Sequence, residues 1–144
     1  MNPAIDQKLL SALQEKKLNK TAYDEIVKWL TDEEFKEFSS ELTKAIKNDD
    51  WENLMDEFYR VVIFGTGGIR GQMNIGTNRI NNYTIRWASQ AYAQYLKKHK
   101  KNILQKGVAI AYDSRLHSEE FTKETARVLA ANGIHVYLFK YYRA

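Results

Sequence analysis

The stretch from Val108 to Phe139 constrains the fold more than any other part of the chain. Val108-Ala109-Ile110-Ala111-Tyr112 is a short apolar run of the kind found in buried strands. Ser118, just ahead of Glu119 and Glu120, is placed to cap a helix carrying Phe121, Thr125, Val128 and Leu129, and Gly133 after Asn132 is placed to stop it. Ile134-His135-Val136-Tyr137-Leu138-Phe139 then reads as a second strand. Strand, helix, glycine stop and strand make a βαβ unit, so the two strands are expected to be parallel neighbours. Asp113, Ser114 and Arg115 fall just past the carboxyl end of the first strand, where open α/β sheets bind ligands.

The first 60 residues have a different character. Leu9, Leu10, Leu13 and Leu18 predict a helix from about Ile5 to Lys17. Thr21 with Asp24, and Thr31 with Glu34, read as capping boxes. Ile26, Val27 and Leu30 supply one apolar stripe, and Phe35, Phe38, Leu42 and Ile46 supply another. Asp50 is placed to cap a short helix with Trp51, Leu54, Met55 and Phe58 inward. The aromatic stripe reads as core rather than as a ligand pocket.

Charge divides the chain in the same place. Residues 1–60 hold 9 Lys/Arg against 14 Asp/Glu, whereas residues 61–144 hold 13 against 4. The basic excess fits an anionic partner or a solvated basic face; four of its lysines, Lys97, Lys98, Lys100 and Lys101, sit at the expected C-terminal end of a helix beginning near Asn82 or Thr84. That helix is expected to bury Ile85, Ala88, Ala91, Tyr92, Tyr95 and Leu96. With no Cys, disulfides and thiolate metal sites are excluded. No apolar run reaches membrane-spanning length and no signal peptide is visible, so a cytoplasmic protein without a membrane partner is expected.

Val61-Val62-Ile63-Phe64 predicts a strand that enters the glycine-rich loop Gly65-Thr66-Gly67-Gly68-Ile69-Arg70-Gly71. Together with the runs at 108–112 and 134–139, it is expected to build a small sheet. The loop is neither a Walker loop, since no Gly-Lys-Ser/Thr closes it, nor a dinucleotide fingerprint, since Arg stands at position 70. It can still hold an anion: small residues at Gly67 and Gly68 let backbone N–H groups converge, Thr66 adds a hydroxyl, and Arg70 adds a two-pronged cation. The alternative is a tight turn with a surface arginine. Asp113 and Arg115 are either a site pair or a loop salt bridge. His99, His117 and His135 form no metal-ligand pattern, and no catalytic nucleophile or paired carboxylate stands out.

Phe64 to Gly71, then Gly76-Thr77-Asn78-Arg79-Ile80-Asn81, resembles the opening of an α-D-phosphohexomutase of the phosphoglucomutase/phosphomannomutase type. Tyr83-Thr84-Ile85, Ala88-Ser89-Gln90, Ala111-Tyr112-Asp113-Ser114-Arg115 and Ala130-Ala131-Asn132-Gly133 continue the resemblance over about residues 61–142. It implies a helical N-terminal extension over 1–60, like that of the branch with phosphopentomutase-like members, followed over 61–144 by an incomplete three-layer α/β/α first domain. The implied reaction moves a phosphoryl group between the C1 and C6 hydroxyls of a hexose phosphate. A phosphoserine, Mg²⁺ and glucose 1,6-bisphosphate take part. The resemblance places Arg70 beside the phosphoserine.

The family's serine loop, its Asp-rich magnesium loop, its sugar loop and its last domain have no counterpart in this sequence. The chain is therefore expected to be an N-terminal fragment, inactive alone and binding neither Mg²⁺ nor bisphosphate by itself. The rest of such an enzyme is an expected partner. The alternative is a stand-alone, non-catalytic anion-binding or interaction module. Without a recognised nucleic-acid motif, nucleic acid is not an expected partner.

Overall fold

The computed structural model describes residues 2–141. The fold is α/β, and the chain divides between Asn81 and Asn82 into two compact units.

The first unit is built from four helices: α1 (Pro3–Gln14), α2 (Lys20–Thr31), α3 (Ser39–Lys47) and α4 (Trp51–Phe58), with a 3-10 helix over Glu33–Phe38. Each α-helix buries one stripe. Ile5, Leu9 and Ala12 face inward from α1, Ala22, Ile26 and Trp29 from α2, Leu42 and Ile46 from α3, and Leu54 and Phe58 from α4. The aromatic residues are core: Trp29 stacks on Phe35 at 4.7 Å between ring centres and meets Phe58 edge-on at 5.2 Å.

The caps differ from those expected. Asn2 starts α1 and Asn19 starts α2, where the Asn19 side chain accepts the Ala22 N–H at 2.7 Å. Thr21 lies inside α2, and Thr31 ends that helix instead of starting the next, its hydroxyl donating to the Val27 carbonyl at 3.0 Å. The 3-10 turn explains the misplacement: Phe35 is buried by a tighter winding, which a 3.6-residue period does not register.

The expected strand at 61–64 is also corrected. Only Phe64–Gly65 (β1) is strand, and it pairs antiparallel with Gly68–Ile69 (β2) in a hairpin of its own. Val62 instead donates its N–H to the Thr77 carbonyl at 2.8 Å. A two-residue connection closes at far lower entropic cost than pairing with a strand some forty residues on.

In the second unit, α5 (Asn82–His99) packs on α7 (Ser118–Ala131), with a short α6 (Ile103–Lys106) between them in sequence. β3 (Val108–Ile110) and β4 (Val136–Leu138) pair in parallel with Val108 opposite Val136, as the βαβ reading requires. Ala93, Leu96, Leu129 and Ile134 form the core, with Val108, Ile110 and Val136 packed against it. Of the face expected of α5, Leu96 is buried and Ile85 and Ala88 are half-buried, but Ala91, Tyr92 and Tyr95 are exposed, and Thr84, Ser89 and Ala93 are buried instead. Ser89 brings its hydroxyl within 3.2 Å of the Thr125 hydroxyl, and a tyrosine ring would not fit a contact that close.

His117, with φ of +62°, occupies the position before α7 without a side-chain capping bond, and Ser118 is the first residue of the helix. The expected stop at Gly133 is present, with φ of +76°. Its N–H reaches the Ala130 carbonyl at 2.9 Å, and Ile134 N–H reaches the Leu129 carbonyl at 3.1 Å. Leu129 and Ile134 are both buried, which completes a Schellman stop. Because a Cβ at Gly133 would meet nothing closer than 4.0 Å, Gly133→Ala is expected to cost only the left-handed backbone penalty. That is about 1–2 kcal/mol, read by chemical denaturation of the second unit.

Candidate functional site

Thr66, Gly67, Gly68 and Arg70 come together in one turn. The β1–β2 hairpin sets Phe64 against Ile69 and Gly65 against Gly68, leaving Thr66 and Gly67 at its tip. Gly68 has φ of +116°, a conformation that a side chain disfavours. Arg70 folds back over this tip, so that a Cβ at Gly67 would lie 3.5 Å from Nη2 of its guanidinium. Thr66, Gly67 and Arg70 are exposed, and among the described residues Arg70 forms no ion pair. A cation held over a glycine tip without a carboxylate is chemically suited to an anion.

The hairpin stands on the segment that follows it. A Cβ at Gly71 would touch the side chains of Ile80 and Val62 at 3.6 Å, and Ile80 donates its N–H to the Gln72 carbonyl at 2.8 Å. Residues 74–81 are clasped onto the end of α4. Asn78 donates its N–H to the Glu57 carbonyl at 2.9 Å and its side-chain amide to the Asp56 carbonyl at 2.8 Å. The Thr77 hydroxyl donates to the Arg60 carbonyl at 2.7 Å, and the buried Arg79 pairs with Asp56 at 2.6 Å.

Glu57, a residue the sequence did not single out, lies buried under this clasp, with the Asn74 amide donating to it at 2.6 Å. Burial pushes its carboxyl up to about 7, with Asp50, Glu41 and Asp56 adding to the rise and Arg79 opposing it. A glutamate in an acidic helix looks solvated until its neighbour in space is known. The one available signal was position: Leu54 and Phe58 are buried, and Glu57 lies three residues after the first and next to the second.

Asp113 and Arg115 pair with each other in the loop that follows β3. Oδ2 of Asp113 accepts from Nε of Arg115 at 2.7 Å, and Oδ1 accepts the Arg115 backbone N–H at 3.1 Å. These two bonds from Arg115 pull the Asp113 carboxyl down to about 2. Ser118 accepts the Asp113 N–H at 3.3 Å. The loop borders an open depression of about 660 Å³ whose wall mixes Glu119, Lys123, Glu124 and Arg127. In this geometry Asp113 and Arg115 neutralise one another as a loop salt bridge.

Among the described residues no three His, Asp or Glu side chains converge as a metal site. None of the described helices is long and apolar enough to cross a membrane.

The family model for phosphoglucomutase/phosphomannomutase, alpha/beta/alpha domain I, matches residues 61–144. The chain belongs to that family of phosphosugar mutases. It is 31% identical over 121 residues to a phosphopentomutase of Mus musculus, covering 80% of this chain and 20% of that protein. It is 32% identical over 114 residues to a phosphoribomutase of Saccharomyces cerevisiae, covering 79% and 18%. With a phosphoglucomutase of Staphylococcus haemolyticus it shares 40% identity over 86 residues, covering 60% and 15%. The chain spans about a fifth of the length of these relatives. No solved structure matches it.

Proposed function

We propose that this chain is the N-terminal part of a hexose-phosphate mutase, and that the β1–β2 hairpin with Arg70 binds a phosphate of the sugar. The observation that carries this reading is the exposed Arg70 guanidinium laid over Gly67 with no ion-pair partner among the described residues. Planar guanidinium can grip two phosphate oxygens at once, which fixes orientation as well as charge. Thr66 adds a hydroxyl at the same tip, and Gly67 and Gly68 keep side-chain bulk away from the anion. Phosphoryl transfer depends mostly on positioning and charge neutralisation, and these are what such a loop supplies.

In this reading the phosphoserine and Mg²⁺ that perform the transfer between C1 and C6 belong to parts of the enzyme outside this sequence. The protein works in the cytoplasm, where charge retains phosphorylated sugars. By itself the chain binds sugar phosphate weakly and turns nothing over.

Both halves can be measured. Glucose 6-phosphate and inorganic phosphate are expected to shift the amide resonances of residues 66–70 in the isolated chain, and Arg70→Ala is expected to abolish those shifts. A coupled assay for conversion of glucose 1-phosphate is expected to stay at the no-protein rate. Unmoved amides at millimolar ligand would overturn the binding role, and turnover retained after removal of host mutase would overturn the inactivity.

A further inference from the structure

The clasp between α4 and residues 74–81 closes over one buried carboxyl. Glu57 is 3% exposed. Its side chain accepts from the Asn74 amide at 2.6 Å, and its backbone carbonyl accepts the Asn78 N–H at 2.9 Å. Asn81 fastens the loop from the other side, donating to the Asn74 carbonyl at 2.8 Å and the Gly76 carbonyl at 2.9 Å. The charged groups facing Glu57 are unbalanced. Glu41 approaches from α3, Asp50 from the start of α4, Asp56 from the preceding position and Arg79 from the loop. Arg79, the cation of this set, already pairs with Asp56 at 2.6 Å. Arg79 has the largest charge effect on Glu57 and favours its ionised form, but it also serves Asp56, so burial under the loop remains the dominant cost of ionising Glu57.

We propose that Glu57 is a proton-operated latch: protonated, it lets the loop over residues 74–81 lie closed on α4, and ionised, it releases that loop. Asn74 can donate to the carboxyl in either state, so the switch lies in the cost of burying the charge rather than in the loss of one hydrogen bond. An open loop exposes the carboxyl, which then titrates near its ordinary value of 4.5, against about 7 when closed. The closed state therefore holds an extra proton between those values. Opening grows about tenfold per pH unit across that window and levels off above it. Because the same segment carries the hairpin through Gly71, Gln72 and Ile80, release also loosens the mount of Arg70. The latch itself does not depend on what Arg70 binds.

Hydrogen exchange of the intact chain, corrected for the intrinsic pH dependence of amide chemistry, reads the opening directly. Between pH 5.5 and 7.5 the opening equilibrium over residues 74–81 is expected to rise about twentyfold. The amides of α1 are expected to stay level, and Glu57→Gln is expected to flatten the rise. Carbon-13 titration of the Glu57 carboxyl in the unmodified protein is expected to give a midpoint near 7, and it decides the matter even if the variant fails to fold. A midpoint below about 5.5, an equal rise in α1, or an unchanged rise in Glu57→Gln would each overturn the latch.

Discussion

Arg70→Ala, introduced into an intact mutase made by joining this chain to the remaining domains of a related mutase, is expected to lower kcat/KM about ten- to a hundredfold. A charge-assisted hydrogen bond to a dehydrated anion contributes about 1.5–3 kcal/mol, and each ~1.4 kcal/mol is tenfold in rate. The fold should hardly change. Arg70 is exposed, pairs with no carboxylate among the described residues and touches the hairpin through the tip of its side chain. Exposed substitutions of this kind move stability by about 0.5 kcal/mol or less. Arg70→Lys should recover part of the loss, because an ammonium keeps the charge but not the two-pronged geometry. If Arg70 were only a surface residue of a tight turn, both variants would keep near-normal specific activity. Measuring melting temperature and kcat/KM on one preparation separates the two roles.

Elements specified by their own residues were legible in the sequence. The parallel pair β3–β4 follows from two short β-branched runs and a glycine stop, and both signals are local: Gly133 adopts positive φ where the helix must end. That Thr66, Gly67, Gly68 and Arg70 share one turn follows for a similar reason, since they lie within five residues and need no distant contact to converge, whereas the hairpin that carries them was not foreseen. What escaped depends on packing that no single helical period encodes. Thr31 and Glu34 have the spelling of a capping box, yet a 3-10 turn that seats Phe35 against Trp29 sets where the helix ends. Tyr92 and Tyr95 have the spacing of a buried face, yet small residues at Ser89 and Ala93 decide which face of α5 meets α7. The burial of Glu57 arises from a loop some twenty residues downstream, and no period within α4 encodes it.

Residues 76–81 lie inside the span that the family model matches, and the geometry gives them a structural task whose largest test is Gly76→Ala. Gly76 has φ of +103°, and a Cβ there would lie 2.5 Å from the Glu57 carbonyl oxygen and 2.8 Å from the Glu57 Cβ. Neither obstacle is a flexible side-chain end. Relief requires the loop to lift from α4, which removes the Asn78 bond to Glu57, the Thr77 bond to Arg60 and the buried pairing of Arg79 with Asp56. Backbone strain of about 1–2 kcal/mol and overpacking of about 1–3 kcal/mol then act together. The expected loss is about 3 kcal/mol or more, a fall in melting temperature of roughly 10–20 °C for a unit of this size. Gly133→Ala is the control, since it shares the positive φ but has open space where its Cβ would go. If Gly76→Ala cost no more than Gly133→Ala in denaturation of the unit that carries each, close contact with α4 would not be what holds the segment in place. A loss confined to the first unit, with the α5–α7 amides still protected, is the expected outcome, and it would mean that this stretch serves to mount the Arg70 hairpin.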